Sequence, residues 1–252
     1  MVQVTPTHRR DLLRAGAALT AVGTLAAGCG TTGTATAAPP TTSPTSPSAS
    51  PHRLPFQVTH GPRTAASVAL TFHGQGDPAL ADQLLATAEQ HDAHLTVLAV
   101  GSWLDAYPAM ARRILDGGHD LGNHTQRHIS INAMAEADAR KEITDCAERL
   151  KRLTGSIGRW FRPSRAPTAS PLVARLAAEA GYPHVLSYDV DSLDYTRPGA
   201  PAITRKVLAE VTGGSVVSMH LGYPDTVAAL PAVLQELHRR GLRAVTTTEL
   251  LS

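Results

Sequence analysis

The sequence predicts an α/β fold with a parallel sheet curled into a small, incomplete barrel, and an open doubly wound sheet is the alternative. Two observations predict it. Short apolar segments alternate with longer amphipathic segments from residue 67 to the C-terminus, which is typical of successive βα units. Neither an internal repeat nor a second linker interrupts the series of about seven such units.

The predicted strands are short apolar runs bounded by polar turn residues. SVALTF at residues 67–72 is the first strand and HLTVLAV at residues 94–100 is the second. Further strands are predicted at residues 119–122, 159–162, 184–188, 215–220 and 243–246. The helices between them are predicted at residues 79–91, 108–116, 134–153, 171–180, 202–211 and 226–240. The helix over 134–153 is the longest, and it is amphipathic.

Polar and titratable residues follow several of these strands. The carboxyl ends of parallel strands meet at one edge of a sheet, so we expect these side chains to border a common site. They are His73, Asp77, His124, His128, Arg162, Asp191, Asp194 and His220.

Bulk composition disfavours two other classes of protein. The 252 residues are 42% apolar, carry a formal net charge of +2 and include only 4% aromatic residues. No lysine-rich or arginine-rich run is present, so nucleic-acid binding is not expected. The two cysteines, Cys29 and Cys146, lie far apart, which disfavours a disulfide framework.

The N-terminus has the pattern of an export signal over residues 1–29. Arg9 and Arg10 precede an apolar stretch that is short for a permanent membrane helix and ends in LAAGC. The pattern resembles a twin-arginine signal joined to a lipoprotein box, with Cys29 as the lipid-modified residue. Ordinary cleavage after a small residue and an uncleaved anchor are the alternatives. Residues 30–53, rich in Thr, Ser, Pro and Ala, are predicted to be a disordered linker. We therefore expect an exported protein at the outer face of the cytoplasmic membrane or in the cell wall.

The segment HTQRH contains two histidines four residues apart, His124 and His128. In a helix or a tight turn this spacing puts both imidazoles on one face, where they can bind adjacent positions of a metal ion. A catalytic zinc site usually needs a third protein ligand. Helix capping or surface hydration is the structural alternative.

Five segments in order resemble the motifs of the polysaccharide deacetylases (NodB homology). They are TFHGQGD at 71–77, GNHTQRH at 122–128, FRPSRAP at 161–167, DVDSLDY at 189–195 and VVSMH at 216–220. The resemblance covers residues 54–252 and implies a distorted (β/α)7 barrel. It implies a hydrolase that uses a divalent metal ion, zinc first and cobalt or another divalent ion as alternatives. The substrate it implies is an N- or O-acetylated envelope polysaccharide such as peptidoglycan.

The resemblance also implies roles for individual residues. His124 and His128 match metal ligands, and Arg162 matches the arginine that orients the catalytic base. Asp191 matches the aspartate that orients the histidine acid, and His220 matches that acid. Two further residues belong to the expected substrate site: the backbone amide near Arg165 would donate to an oxyanion, and Tyr195 would contact substrate. A structural ion pair between Arg162 and Asp194 is the alternative to a catalytic role for Arg162.

The first motif departs from the family, which has two adjacent aspartates where this chain has His73 and Gly74. Two solutions are open. In one, Asp77 is the third metal ligand and His73 is the base, and this solution is slightly favoured because it keeps a carboxylate on the metal. In the other, His73 is the third ligand and Asp77 is the base beside Arg162.

Other substitutions make the pocket more polar, including Ser218 where a leucine often lines the acetate site. The leading hypothesis is a metal-dependent deacetylase. The alternatives are a catalytically degraded glycan-binding domain of the same fold and a metal-dependent amidase acting on a small molecule.

Overall fold

The computed structural model describes residues 54–252, so the predicted signal peptide at 1–29, with Cys29, and the predicted linker at 30–53 lie outside the described residues. The strands are β1 Gln57–Val58, β2 Ser67–Gly74, β3 Thr96–Ala99, β4 Asp120–Asn123, β5 Val185–Leu186, β6 Val190–Asp191, β7 Val216–His220 and β8 Arg243–Ala244. The helices are α1 Pro78–Gln90, α2 Gly101–Ala106, α3 Ala109–Asp116, α4 Glu136–Thr154, α5 Pro171–Glu179, α6 Ala200–Glu210, α7 Pro224–Arg239 and α8 Thr247–Leu250.

The strands pair in parallel around a closed path. β2 is central and pairs with β3, β7 and β8, and β3 pairs with β4. Phe161 bridges Asn123 at the end of β4 to Val185 in β5. The chain runs directly from β5 into β6, and β6 pairs with β7, which completes the ring. The sheet is therefore a distorted barrel, as predicted, and not an open doubly wound sheet.

Helices cover the outside of this barrel, and the main apolar core lies between these helices and the strands. Phe72 on β2 and Val97 on β3 are fully buried with Leu85 of α1 and Leu230 of α7 in one apolar cluster. β2 is buried at every position after Ser67, because it lies between strands on both sides and beneath helices. Across residues 54–252, none of the helices combines the length and the apolar content needed to cross a membrane.

The predicted elements agree with the structure except at short segments. The strand predicted at 159–162 is reduced to two isolated bridges at Phe161, because Pro163 follows and has no N–H to donate to a ladder. β1, β6 and α2 were not predicted. Each has six residues or fewer, which is too short for a periodicity to appear.

Candidate active site

The carboxyl ends of the barrel strands border a cavity of about 380 Å³, large enough for a sugar-sized ligand. Its wall includes residues from all five motifs. Those predicted from the sequence are His73, His128, Arg165, Asp191, Tyr195 and His220. Ser218 lines it at the pocket position expected from the resemblance, and Tyr188 and Tyr223 line it without having been predicted. Sequence alone gave no signal for the two tyrosines, which lie outside any spacing pattern.

Three histidines meet at one side of the cavity, and we call His73, His124 and His128 the three-histidine group. Each offers a ring nitrogen, and these atoms lie within 4.8 Å of one another. His73 Nδ1 lies 2.7 Å from His124 Nε2, and the His124 and His128 ring centroids are 4.8 Å apart. His73 and His124 are buried, whereas His128 is half-buried.

The loop that carries His124 and His128 is a tight turn and not a helix. Asn123 Oδ1 accepts a hydrogen bond from the Thr125 amide, which turns the chain directly after β4. Thr125 and His128 both have positive φ, 68° and 55°, conformations that residues other than glycine rarely adopt. Thr125 Oγ1 also bonds Ser164 Oγ, which ties this loop to the FRPSRAP segment. The surrounding structure therefore holds a strained turn that brings the two imidazoles together.

Burial keeps the three-histidine group neutral. It lowers the pKa of His73 well below its ordinary value, and the neighbouring His124, His220 and Arg162 lower it further. Burial likewise lowers the pKa of His124, with a contribution from His128. The pKa of His128 falls to about 4, mainly through burial and then through the cation of Arg165. Neutral imidazoles are the form that binds metal ions.

Arg162 is fully buried beneath the group. Its guanidinium donates to Thr71 Oγ1 and to the carbonyl oxygens of Leu186 and Ser187, and Nη1 lies 3.5 Å from His73 Nε2. Burial lowers its pKa to about 10. Within residues 54–252 no carboxylate forms an ion pair with it, so the expected partner of an orienting arginine is replaced by an imidazole. The alternative of an Arg162–Asp194 ion pair is not observed.

The structure places Asp77 away from the three-histidine group. Its side chain is exposed and accepts a hydrogen bond from the Ala79 amide at 2.8 Å, as the N-cap of α1. Pro78 follows at the first helical position, so the segment is a helix start. This placement corrects the expectation that Asp77 is either a metal ligand or the base.

Gly74 offers no replacement for a carboxylate. A Cβ atom on it would lie 2.8 Å from Val97 Cγ1 and 2.9 Å from Ala99 Cα, against the neighbouring strand β3. A side chain at this position would displace backbone. The three-histidine group is therefore the arrangement that the structure brings together.

His220 and Asp194 lie beside the three-histidine group, and we call them the His220–Asp194 pair. His220 Nδ1 lies 2.7 Å from Asp194 Oδ1, while Asp194 Oδ2 accepts from the His220 amide and from Thr226 Oγ1. Asp194 is fully buried at the start of a 3₁₀ turn, directly after Leu193 with φ of 55°. The His220 ring stacks on that of His73 with centroids 4.3 Å apart.

This geometry corrects the expectation for Asp191. Its carboxylate lines the cavity and accepts from the Leu193 amide, but it makes no hydrogen bond to His220. DVDSLDY contains three acidic residues, and spacing alone does not tell which one turns inward. The left-handed Leu193 residue decides it, since it rotates Asp194 toward β7.

Comparison with known proteins is consistent with this arrangement. The family model described as polysaccharide deacetylase matches residues 60–185. A peptidoglycan-N-acetylglucosamine deacetylase of Bacillus cereus is 31% identical over 194 residues, covering 75% of this chain and 90% of that protein. The chain belongs to the polysaccharide deacetylase family. A chitooligosaccharide deacetylase of Sinorhizobium fredii is 30% identical over 192 residues, covering 70% of this chain and 88% of that protein.

The fold of this family member also matches solved structures. A wild-type family-4 carbohydrate esterase pseudoenzyme from Bacillus anthracis superposes with a TM-score of 0.74 at 22% identity, covering 79% of this chain and 70% of that one. At this identity the match supports the fold alone. The predictions of the family and of its distorted barrel fold are confirmed.

The residues of the three-histidine group fit a divalent metal ion, though not with the ligand set that the family resemblance implies. Three imidazole nitrogens are a ligand set that zinc accepts in catalytic sites. His124 Nδ1 lies 3.0 Å from the Arg162 carbonyl oxygen, and such a contact commonly orients a metal-binding histidine. The third ligand would therefore be His73, in place of a carboxylate.

Proposed function

We propose that this protein is a metal-dependent hydrolase that removes acetyl groups from an N- or O-acetylated cell-envelope polysaccharide. One observation carries the proposal: the three-histidine group and the His220–Asp194 pair lie side by side at one cavity, with the rings of His73 and His220 in contact. The named activities of the relatives, on peptidoglycan N-acetylglucosamine and chitooligosaccharide, support an N-acetylated glycan as substrate.

The three-histidine group would hold a divalent metal ion, with zinc the first candidate. Such an ion polarises a carbonyl group and lowers the pKa of water. His220 then supplies the proton that the leaving group needs. Asp194 occupies His220 Nδ1, so Nε2 is left to exchange a proton with a ligand. The buried carboxylate stabilises the imidazolium that forms when His220 is protonated.

The cavity wall supplies the contacts for a sugar ring. Tyr195 is 49% exposed, and Tyr188 and Tyr223 line the same cavity. Arg165 is exposed at the edge of the cavity. Its backbone has a positive φ of 55°. We propose Tyr195 and Arg165 as substrate-binding residues, with the amide near Arg165 as an oxyanion donor.

A second candidate function is a glycan-binding domain that has lost turnover. The observation that favours it is the first motif, where Gly74 has no side chain and Asp77 caps a helix. The His220–Asp194 pair favours the hydrolase, because binding alone needs neither a proton donor nor a carboxylate that orients it.

Acetate release from acetylated chito-oligosaccharide, measured together with metal content, separates these candidates. We expect the zinc-loaded protein to release acetate, and the His124→Ala variant to lose both metal and activity. Asp77→Ala is the matched control and keeps both. Metal bound without hydrolysis of any acetyl amide or ester supports the glycan-binding domain. A folded protein that binds no divalent metal overturns the hydrolase.

We propose that the protein acts outside the cytoplasm, anchored by a lipid on Cys29. The support is the sequence pattern of residues 1–29 alone. Labelling of cells with a fatty-acid analogue should mark the wild-type protein and leave the Cys29→Ser variant unmarked. Equal labelling of both proteins would contradict lipidation at this residue.

A further inference from the structure

The carbonyl group of Arg162 determines which of the two ring nitrogens of His124 carries the proton. Its oxygen lies 3.0 Å from His124 Nδ1, and a carbonyl can only accept, so Nδ1 is the protonated nitrogen. In a neutral imidazole the other nitrogen then carries a lone pair. His124 Nε2 is therefore an acceptor, and His73 Nδ1 at 2.7 Å must be the donor to it.

The second nitrogen of His73 extends the same series of hydrogen bonds. When Nδ1 donates, Nε2 carries the lone pair. Ser218 Oγ lies 3.0 Å from Nε2 and donates to it, and the Arg162 guanidinium, which can only donate, faces it at 3.5 Å. Arg162 thus contacts both ends of this series of hydrogen bonds: its carbonyl oxygen faces His124, and its guanidinium faces His73. In this arrangement every nitrogen of these two buried rings has a partner.

A metal ion needs the opposite arrangement at His73. Binding through Nδ1 requires a lone pair there, so the proton must sit on Nε2. An N–H at Nε2 needs an acceptor, and Arg162 cannot provide one. Within residues 54–252, Ser218 Oγ is the acceptor that hydrogen-bonds this nitrogen. His124 needs no such change, because its Nδ1 already donates to a carbonyl.

We propose that Ser218 is a positioning residue that lets His73 exchange tautomers when a divalent metal ion binds. This inference rests on the metal centre of the proposed function. Without metal, Ser218 donates to Nε2, and His73 donates from Nδ1 to His124. With metal, Nδ1 loses its proton to water, Nε2 gains one from water, and the hydroxyl of Ser218 turns to accept it. The His73–His124 hydrogen bond is replaced by a metal bond, and His73 stays neutral throughout.

Nitrogen-15 NMR of histidine-labelled protein tests the exchange directly. Two-bond proton–nitrogen correlations distinguish the two neutral tautomers, and the His73→Gln spectrum assigns the His73 signals. We expect the Nδ1-protonated form in metal-free protein and the Nε2-protonated form after one equivalent of Zn²⁺. The same His73 tautomer in both spectra, with zinc bound, would overturn the proposal. This measurement needs no Ser218 variant, so it stands if a variant fails to fold.

Zinc affinity, measured by competition with a chromophoric chelator, tests the role of Ser218. We expect Ser218→Ala to weaken zinc binding by about 10-fold to 100-fold, as loss of the partner of a metal ligand does. Ser218→Thr keeps the hydroxyl and should restore most of the affinity. Ser192→Ala is the matched control, since Ser192 is equally buried but its hydroxyl contacts the Asp194 amide.

The two proposals fail in different ways. Unchanged zinc affinity in Ser218→Ala, with acetate still released by the wild type, overturns the role of Ser218 and leaves the hydrolase intact. Tautomer exchange with the expected loss of affinity, but no acetate released, overturns the hydrolase and supports the role of Ser218.

Discussion

The His220–Asp194 pair and the three-histidine group differ in how their buried polar atoms are hydrogen-bonded. The His220–Asp194 pair has a buried carboxylate that accepts from an imidazole, an amide and a hydroxyl, so its arrangement is complete without any ligand. The three-histidine group has no carboxylate, and burial keeps its rings neutral. A hydrogen bond joins two of its rings, and that bond must be replaced for a cation to bind. The pair is preorganised, whereas the group depends on its occupant.

Arg162 links this difference to the sequence of the first motif. A fully buried guanidinium without a carboxylate partner is costly, and here two carbonyl groups and the Thr71 hydroxyl stabilise it. Its face toward His73 disfavours protonation of that ring, which agrees with the lowered pKa of His73. The arginine therefore favours a neutral ring at His73.

The largest effect is expected when Asp194 is replaced by Asn. The amide can donate where the carboxylate accepts, so His220 loses its fixed tautomer and its stabilised imidazolium. We expect kcat for acetate release to fall by about 10³-fold to 10⁴-fold, as in other histidine–carboxylate pairs, with zinc content unchanged.

Asp191→Asn is the matched control, since Asp191 lines the same cavity without contacting His220. A larger loss of kcat in Asp191→Asn than in Asp194→Asn would reverse the assignment of the orienting carboxylate. Thermal unfolding of both variants shows whether either loss reflects misfolding.

Metal affinity should depend on the three-histidine group alone. We expect His128→Ala to weaken zinc binding by more than about 100-fold, because losing a ligand exceeds the cost of losing the partner of a ligand. His220→Ala should bind zinc like the wild type. Chelator competition on both variants measures this. Comparable losses would show that His220 shares the metal centre.

Acid should destabilise the metal-free protein through the three-histidine group. Burial lowers the pKa of His128 from 6.5 to about 4, so between these pH values the unfolded chain binds a proton that the folded chain does not. The stability is present above pH 6.5 and is lost as the pH falls toward 4. Since His128 is half-buried, we expect about 1 kcal/mol of loss from this residue between pH 7 and pH 5.

Urea unfolding of metal-free protein at the two pH values checks this, with His128→Gln as the comparison. The glutamine side chain does not titrate, so the difference between pH 7 and pH 5 should shrink by that amount. An unchanged pH dependence in the variant would show that His128 is not held neutral by the fold.

The barrel and most of the site were predictable because both follow from strand ends in order. His124, Arg162 and His220 lie at or directly after the ends of paired strand segments, and the spacing of four residues in HTQRH pointed to His128. The roles of Asp194 and Asp77 were not predictable, since each carboxylate is placed by a local turn: a left-handed Leu193 in one case and a helix start at Pro78 in the other. Spacing in sequence does not report which way such a turn directs a carboxylate.

The smallest effect separates Asp77 from both the three-histidine group and the His220–Asp194 pair. Its carboxylate caps α1, so Asp77→Ala should cost about 1 kcal/mol of unfolding free energy, and Asp77→Ser, which keeps a capping oxygen, much less. Chemical denaturation measures both. Neither variant should change zinc affinity, because the three-histidine group contains no contribution from α1. Weaker zinc binding in Asp77→Ala than in Asp77→Ser, beyond the change in stability, would instead place a carboxylate on the metal and return the site to a mixed ligand set.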